Sequence, residues 1–248
     1  MKLTDYWRKI YDEARSKNLD ILVEKGFCVD PALKAKKDDR YTFSIFGYYP
    51  KNFYVGGSKN FERELKKIFP NQIYYTADPK LAEKSAGLHF TFMQLLGFAP
   101  NLKVSRTRLY KYIDVCGENL FLLGGPLKVD FFGLLATPVN ILWTGVTNAA
   151  VNEIRENIRS AAVNADLPLT EPYKVTIIHS SILRYLDADS LTTESVLDFC
   201  DRYRTGLRAE CVFDKLYLGF GSALMKPSEI KNVAEFDLAG RKVKVLHD

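Results

Sequence analysis

Cysteine is scarce in this 248-residue chain: Cys28, Cys116, Cys200 and Cys211 are the four present. They lie far apart and form no CxxC pair, so neither a disulfide framework nor a cysteine zinc site is expected, and core thiols in a reduced compartment fit the pattern. Long apolar runs are missing as well. The most apolar stretch, Phe131 to Trp143, is broken by Thr137, Pro138 and Asn140 and is too short to cross a bilayer. Met1-Lys2-Leu3-Thr4-Asp5 carries no apolar signal segment, so the expectation is a cytoplasmic protein with no membrane span. Short-period repeats and low-complexity tracts are absent, which excludes solenoids and propellers. Nor does one sign of charge dominate: a net charge of +5 and a pI near 8.8 permit a phosphate-bearing ligand but lack the dense basic patch of a strong duplex binder.

What is present is an ordinary globular balance, 47% hydrophobic and 26% charged residues. A chain of this length buries roughly 70% or more of its unfolded surface and needs no staple. Residues 4 to 26 read as a helix, with Thr4 as a cap, Trp7, Ile10, Tyr11 and Ala14 on one face, and Gly26 as its stop. Residues 30 to 40 are charged and open with Asp30-Pro31, which reads as an exposed linker; its Lys34, Lys36 and Lys37 suit solvent or a phosphate. Residues 1–40 are therefore taken as an N-terminal extension and 41–248 as the main domain.

From residue 41 strands and helices interleave. Tyr41 to Tyr48 reads as a strand, Gly56-Gly57-Ser58 opens a helix carrying Phe61, Leu65, Ile68 and Phe69, and Leu88 to Leu95 is the next strand. Further strands are expected from Lys128 to Leu135 and Val139 to Trp143, then a helix capped by Thr147 with Val151, Ile154, Ile158 and Ala161 on one face. A strand from Lys174 to Leu183, a helix from Thr193 to Tyr203, a strand from Cys211 to Phe220 and a hairpin around Ala239-Gly240 complete the reading. The class is α/β or α+β with sheets as the core. Gly56-Gly57-Ser58 lacks the Walker lysine, and Gly219-Phe-Gly-Ser222 lacks the third glycine of a dinucleotide fingerprint, so both read as turns.

Chemistry concentrates at two of the three histidines. His89 lies in Leu88-His89-Phe90-Thr91-Phe92 and His179 in Ile178-His179-Ser180-Ser181-Ile182. On a strand, alternation puts His89 with Thr91 on one face and Leu88, Phe90 and Phe92 on the other; His179 and Ser181 share a face in the same way. Two such strands set together would place two imidazoles and two hydroxyls around a phosphate. One imidazole takes a proton from water or a ribose hydroxyl, the other gives one to the leaving oxygen, and the hydroxyls donate to the non-bridging oxygens. If both rings titrate near 6.5, the rate profile is a bell with limbs within roughly two units of that value. Competing sites are poorer: no HExxH accompanies the histidines, no GxSxG elbow is present, Asp187-Ala-Asp189 reads as a turn, and His247 reads as solvated.

With these motifs ninety residues apart, the sequence resembles the 2H phosphoesterase superfamily, the LigT-like proteins named for paired H-x-[ST]-x motifs. The resemblance spans about residues 41 to 222. Ser181 replaces the common threonine and Ile178 a common proline, which makes this a distant branch. What the resemblance implies is an α+β, bilobed, pseudo-symmetric fold, two small antiparallel sheets with outer helices flanking a cleft that holds both motifs. It further implies a metal-independent phosphodiesterase that needs no cofactor, with His89 and His179 as acid and base and Thr91 and Ser181 as phosphate donors. Arg184, five residues after His179, would contact phosphate; the bland alternative is a surface arginine. Tyr48, Tyr49 and Tyr185 are candidates for stacking on a base, with closure of the core edge as the alternative. A nucleotide or RNA 3′ end is the expected partner, with the protein acting as a monomer. A catalytically silent RNA-binding module on the same fold is the competing reading.

Overall fold

The computed structural model describes residues 3–35, 38–147, 149–172 and 174–246. The side chain of Thr4, and Lys36, Lys37 and His247, lie outside the described residues. In chain order the elements are α1 (Leu3–Lys25), α2 (Pro31–Lys34), β1 (Arg40–Tyr48), α3 (Lys59–Ile68), β2 (Ile73–Thr76), α4 (Pro79–Ala82), β3 (Ala86–Gly87) and β4 (His89–Pro100). They continue with α5 (Arg106–Leu120), β5 (Leu127–Ala136), β6 (Asn140–Val146), α6 (Val151–Asn164), β7 (Ile178–Arg184), α7 (Thr193–Arg202), β8 (Ala209–Phe213), β9 (Lys215–Ser222), β10 (Lys231–Asp237) and β11 (Lys242–Val245).

The strands form a five-stranded sheet, order β11-β10-β9-β1-β4, and a six-stranded sheet, order β3-β2-β7-β6-β5-β8. Pairing is antiparallel except between β2 and β3. The class is α+β, built on two sheets with helices packed against them. Each sheet supplies one motif strand. β4 is the edge of the smaller sheet, and β7 lies between β2 and β6 in the larger one. Between the sheets lies a shared core in which Phe131 stacks on Trp143 at 4.5 Å and Phe90 on Phe213 at 5.0 Å. Helices cover the outside. Ser58 caps α3 by accepting from the Phe61 amide, and Thr192 caps α7 by accepting from that of Ser195. Their apolar faces meet at Phe61 and Phe199.

Helix α1 ends at Gly26, whose φ of 68° no β-carbon has to accommodate. The helix is tied to the larger sheet. The Trp7 indole donates to Thr147 O at 3.1 Å, and the buried Tyr11 hydroxyl lies 2.5 Å from Gly145 O and 2.6 Å from Ile178 O while accepting from Ile178 N at 3.1 Å. Removing that hydroxyl strands buried main-chain groups next to His179. Tyr11→Phe is therefore expected to cost about 1–3 kcal/mol, read by urea denaturation. A change near zero would mean that α1 docks without this contact.

Several local readings are corrected. The described ends of the 30–40 segment are pinned: Asp30 caps α2, Leu33 is buried, and Arg40 bridges Asp30 at 2.6 Å and Asp38 at 2.7 Å. Thr147 does not cap α6; Ala150 occupies the N-cap, and the Thr147 hydroxyl accepts from Ala149 N instead. The stretch expected as one strand from Cys211 to Phe220 is two, β8 and β9, divided at Asp214 between the two sheets. Gly219 and Gly221 lie inside β9 and form no turn; a β-carbon at Gly221 would stand 2.1 Å from Met225 Sδ.

Candidate active site

Strand alternation presents the motif side chains as a pair of matching sets. On β4, Phe90 and Phe92 are fully buried while His89 and Thr91 are half-buried on the other face; on β7, Ile178 and Ser180 are buried while His179 and Ser181 are half-buried. One cleft of about 110 Å³ brings together His89, Thr91, His179, Ser181 and Arg184. Gln94, Asn140, Tyr75 and Met225 are among the other residues of its walls. A larger cavity of about 820 Å³ lies between α1 and strands β5 and β8 and contains neither histidine, so size does not mark the chemistry here.

The Ser181 hydroxyl is wired by residues outside the motifs. Asn140 Nδ2 donates to Ser181 Oγ at 3.0 Å and is itself held by Thr137 Oγ1, which donates to Asn140 Oδ1 at 2.6 Å. Ser181 thus accepts from the protein and keeps its own proton for a ligand oxygen. Gln94 Nε2 donates to Thr42 Oγ1 at 2.6 Å, and Thr42 in turn donates to Leu96 O at 2.7 Å. Asn140 escaped the sequence reading because its role depends on the β6–β7 register, in which it pairs with Arg184.

Each ring has a defined electrostatic setting. His89 Nδ1 lies 2.9 Å from Gly87 O. A carbonyl only accepts, so Nδ1 carries a proton and Nε2 is the nitrogen left to exchange one with the cleft. The Ile177 carbonyl raises the proton affinity of His179 in the same sense, but His179 Nδ1 makes no hydrogen bond of normal geometry. Both rings keep one open side toward the cleft, with protein on the others. That burial pushes each imidazole down to about 4, helped by Arg184 at His89 and by Arg155 and then His89 at His179. Both rings are thus held below the 6.5 on which the bell-shaped profile rests, which favours neutral imidazoles at pH 7.

The tyrosines divide. Tyr48 pairs across the sheet with His89, is 38% exposed and donates from its hydroxyl to Asn232 Oδ1 at 3.1 Å. With Lys51 and His89 it lines a second chamber of about 330 Å³ beside the cleft. Tyr49 is a correction: its ring is buried, stacked on Phe53 at 4.7 Å, and its hydroxyl bonds Ser180 Oγ at 2.7 Å. Tyr185 is another, fully buried edge-to-face on Phe27 at 4.8 Å. Tyr49 still contributes to the wall of the second chamber, whereas Tyr185 offers no ring face to a base. Among the described residues no three His, Cys, Asp or Glu side chains converge as a metal site, and no helix is long and apolar enough to cross a membrane.

Solved structures share this architecture. A structure described as a phosphoesterase superposes with a TM-score of 0.50 at 12% identity, over 81% of this chain and 99% of its own. Escherichia coli LigT complexed with 3′-AMP gives 0.48 at 12% identity, over 84% and 99%. The likeness is one of fold: this chain shares the two-sheet architecture of that phosphoesterase. No protein-family model matches the chain, and no curated protein does.

Proposed function

We propose that this protein is a metal-independent phosphodiesterase acting on a nucleotide or RNA-derived phosphodiester, such as a 2′,3′-cyclic phosphate, a 2′-5′ linkage or a cyclic dinucleotide. The observation that carries the proposal is the convergence of both histidines and both motif hydroxyls in one cleft of about 110 Å³. Such a space suits a phosphate group and its ester oxygens. A nucleoside needs more room, which the adjoining chamber of about 330 Å³ offers, with the Tyr48 ring for a base and Lys51 at its wall.

The reaction runs as an in-line displacement. A bound phosphodiester anion raises the proton affinity of the rings around it, so one imidazole takes up a proton from solvent on binding. The neutral imidazole removes a proton from water as its oxygen bonds to phosphorus. The protonated one gives its proton to the ester oxygen as the P–O bond breaks, leaving a phosphomonoester and a free hydroxyl. Thr91 and Ser181 donate to the non-bridging oxygens, where negative charge concentrates, and Arg184 faces the same phosphate. A monomer acting in the cytoplasm belongs to this reading.

The test is a panel of 2′,3′-cyclic nucleotides, 2′-5′ linked dinucleotides and cyclic dinucleotides assayed with excess EDTA. Turnover of at least one class, undiminished by chelation, is expected, since acid, base and anion donors all come from side chains. Loss on chelation with recovery on adding zinc or manganese would move the chemistry to a metal. Tight binding across the panel with no turnover would leave the silent RNA-binding module standing.

A further inference from the structure

Arg155 lies on α6, outside both motifs, and is completely buried. Its Nε donates to Phe92 O at 2.7 Å, one residue past Thr91 on the first motif strand. Nη1 donates to Val175 O and Ile177 O, both at 3.3 Å, on the segment that leads into His179, and to Asn152 Oδ1 at 2.8 Å. The guanidinium carbon stands 5.4 Å from the Phe92 ring centroid. One side chain thus ties the main chain of both motif strands together.

Its charge is costly there. A buried cation loses hydration that only close pairing restores, and among the described residues no carboxylate bonds this one. The carboxylate that acts on it, Glu171, is bound to Arg159 at 2.5 Å, and Glu156 bonds Arg159 at 2.7 Å. Arg155 Nη2 makes no hydrogen bond. A well-packed apolar residue would fill the site more cheaply, so the guanidinium calls for a role that an apolar side chain lacks.

We propose that Arg155 is a positioning residue that fixes the two motif strands relative to each other and divides the labour between them, its guanidinium bonded to the Ile177 carbonyl two residues before His179 and setting that ring as the base, while His89, anchored through Nδ1 to Gly87 O, carries the proton for the leaving oxygen. The division of roles rests on the phosphodiesterase reading; the electrostatic effect on His179 does not. The charged and titratable groups around the pair are few. Arg155 from α6 and His89 from β4 act on His179, Arg184 from β7 acts on His89, and the Tyr75 ring from β2 lies 6.1 Å from that of His89. Arg155 itself is faced by Tyr6 and Tyr11 from α1, by Arg159 and by Glu171. Burial lowers both rings, but at His179 the next cause is Arg155.

The experiment follows the Hε1 resonances of the three histidines by NMR over pH 3.5 to 8, assigned with His89→Gln and His179→Gln. Arg155→Met removes the charge and Arg155→Gln removes it while keeping an amide donor; Arg155→Lys keeps the charge without the fork. In the neutral variants the His179 midpoint is expected to rise by about one unit or more, with His89 moving less than half as far. In Arg155→Lys the His179 midpoint is expected to stay near wild type. On the best diester, kcat/KM of the neutral variants is expected to fall about tenfold or more, with the acid limb displaced by the same interval as the His179 midpoint. A His179 midpoint that moves by less than about 0.3 unit, equal shifts at both rings, or failure of both neutral variants to fold would overturn the proposal. If the wild-type protein cleaves no diester, the phosphodiesterase reading fails by itself, and the NMR titration still decides what Arg155 does to His179.

Discussion

His89→Ala and His179→Ala are each expected to lower kcat/KM on the best diester by about a hundredfold or more, since a positioned general acid or base supplies about 10²–10⁴. Neither change should disturb the fold. Both rings are half-buried at the cleft, while the side chains that hold the strands, Phe90 and Phe92 behind one and Ile178 and Ile182 behind the other, are fully or almost fully buried. Truncation therefore removes a wall of the cleft and leaves the core packed. The double variant should be little worse than either single one, because acid and base act as a unit. Steady-state kinetics beside circular dichroism and a thermal melt make the measurement. Wild-type turnover in either folded variant would end the two-histidine mechanism.

The legible parts of this molecule are those in which local pattern and tertiary role agree. Period-two alternation around His89 and His179, reinforced by aromatic and branched neighbours, put His89, Thr91, His179 and Ser181 on cleft-facing surfaces because the opposite faces had to be core. The same rule, applied one residue further, separates the tyrosines: Arg184 faces the cleft, so its neighbour Tyr185 turns into the core, and Tyr48 and Tyr49 part company in the same way.

Other features were hidden by the medium in which they act. The passage from β8 to β9 has no glycine or proline, only Asp214 between Phe213 and Lys215, because the chain changes sheets there without reversing in a turn. The pattern assigns nothing to residues 97–119, although Ser105 caps α5 by accepting from Arg108 N; only Tyr112, Ile113, Cys116, Gly117 and Leu120 of its 15 residues are buried, a stripe narrow enough to be masked by the polar residues around it. Arg155 did leave a trace. Val151, Ile154, Arg155, Ile158, Arg159 and Ala162 are the buried residues of α6, spaced by three and four, so both arginines sit on the apolar stripe where a solvated arginine would not be.

Gly87→Ala is expected to lower kcat by about a hundredfold although Gly87 lies outside both motifs and has no side chain of its own. A β-carbon at Gly87 would stand 2.1 Å from Met225 O and 3.2 Å from Met225 C, and both are main-chain atoms that no side-chain rotation can move aside. The facing segment has little slack. Met225 already holds a positive φ of 47°, Leu224 O accepts from Gly87 N at 2.8 Å, and Leu224 N donates to Ser222 Oγ at 3.3 Å. The two backbones must part, and Gly87 O, which takes the His89 Nδ1 proton at 2.9 Å, moves with them. A reacting group displaced by about 1 Å can lose about 10² in rate, while overpacking of this kind costs about 1–3 kcal/mol of stability. The loss should fall on kcat more than on KM, and the His89 Hε1 resonance should shift while that of His179 stays. Gly206→Ala is the control, since a β-carbon there meets nothing within 4 Å and should leave both stability and rate near wild type. A Gly87→Ala protein with wild-type kcat and an unmoved His89 resonance would show that the Gly87 carbonyl does not orient the ring.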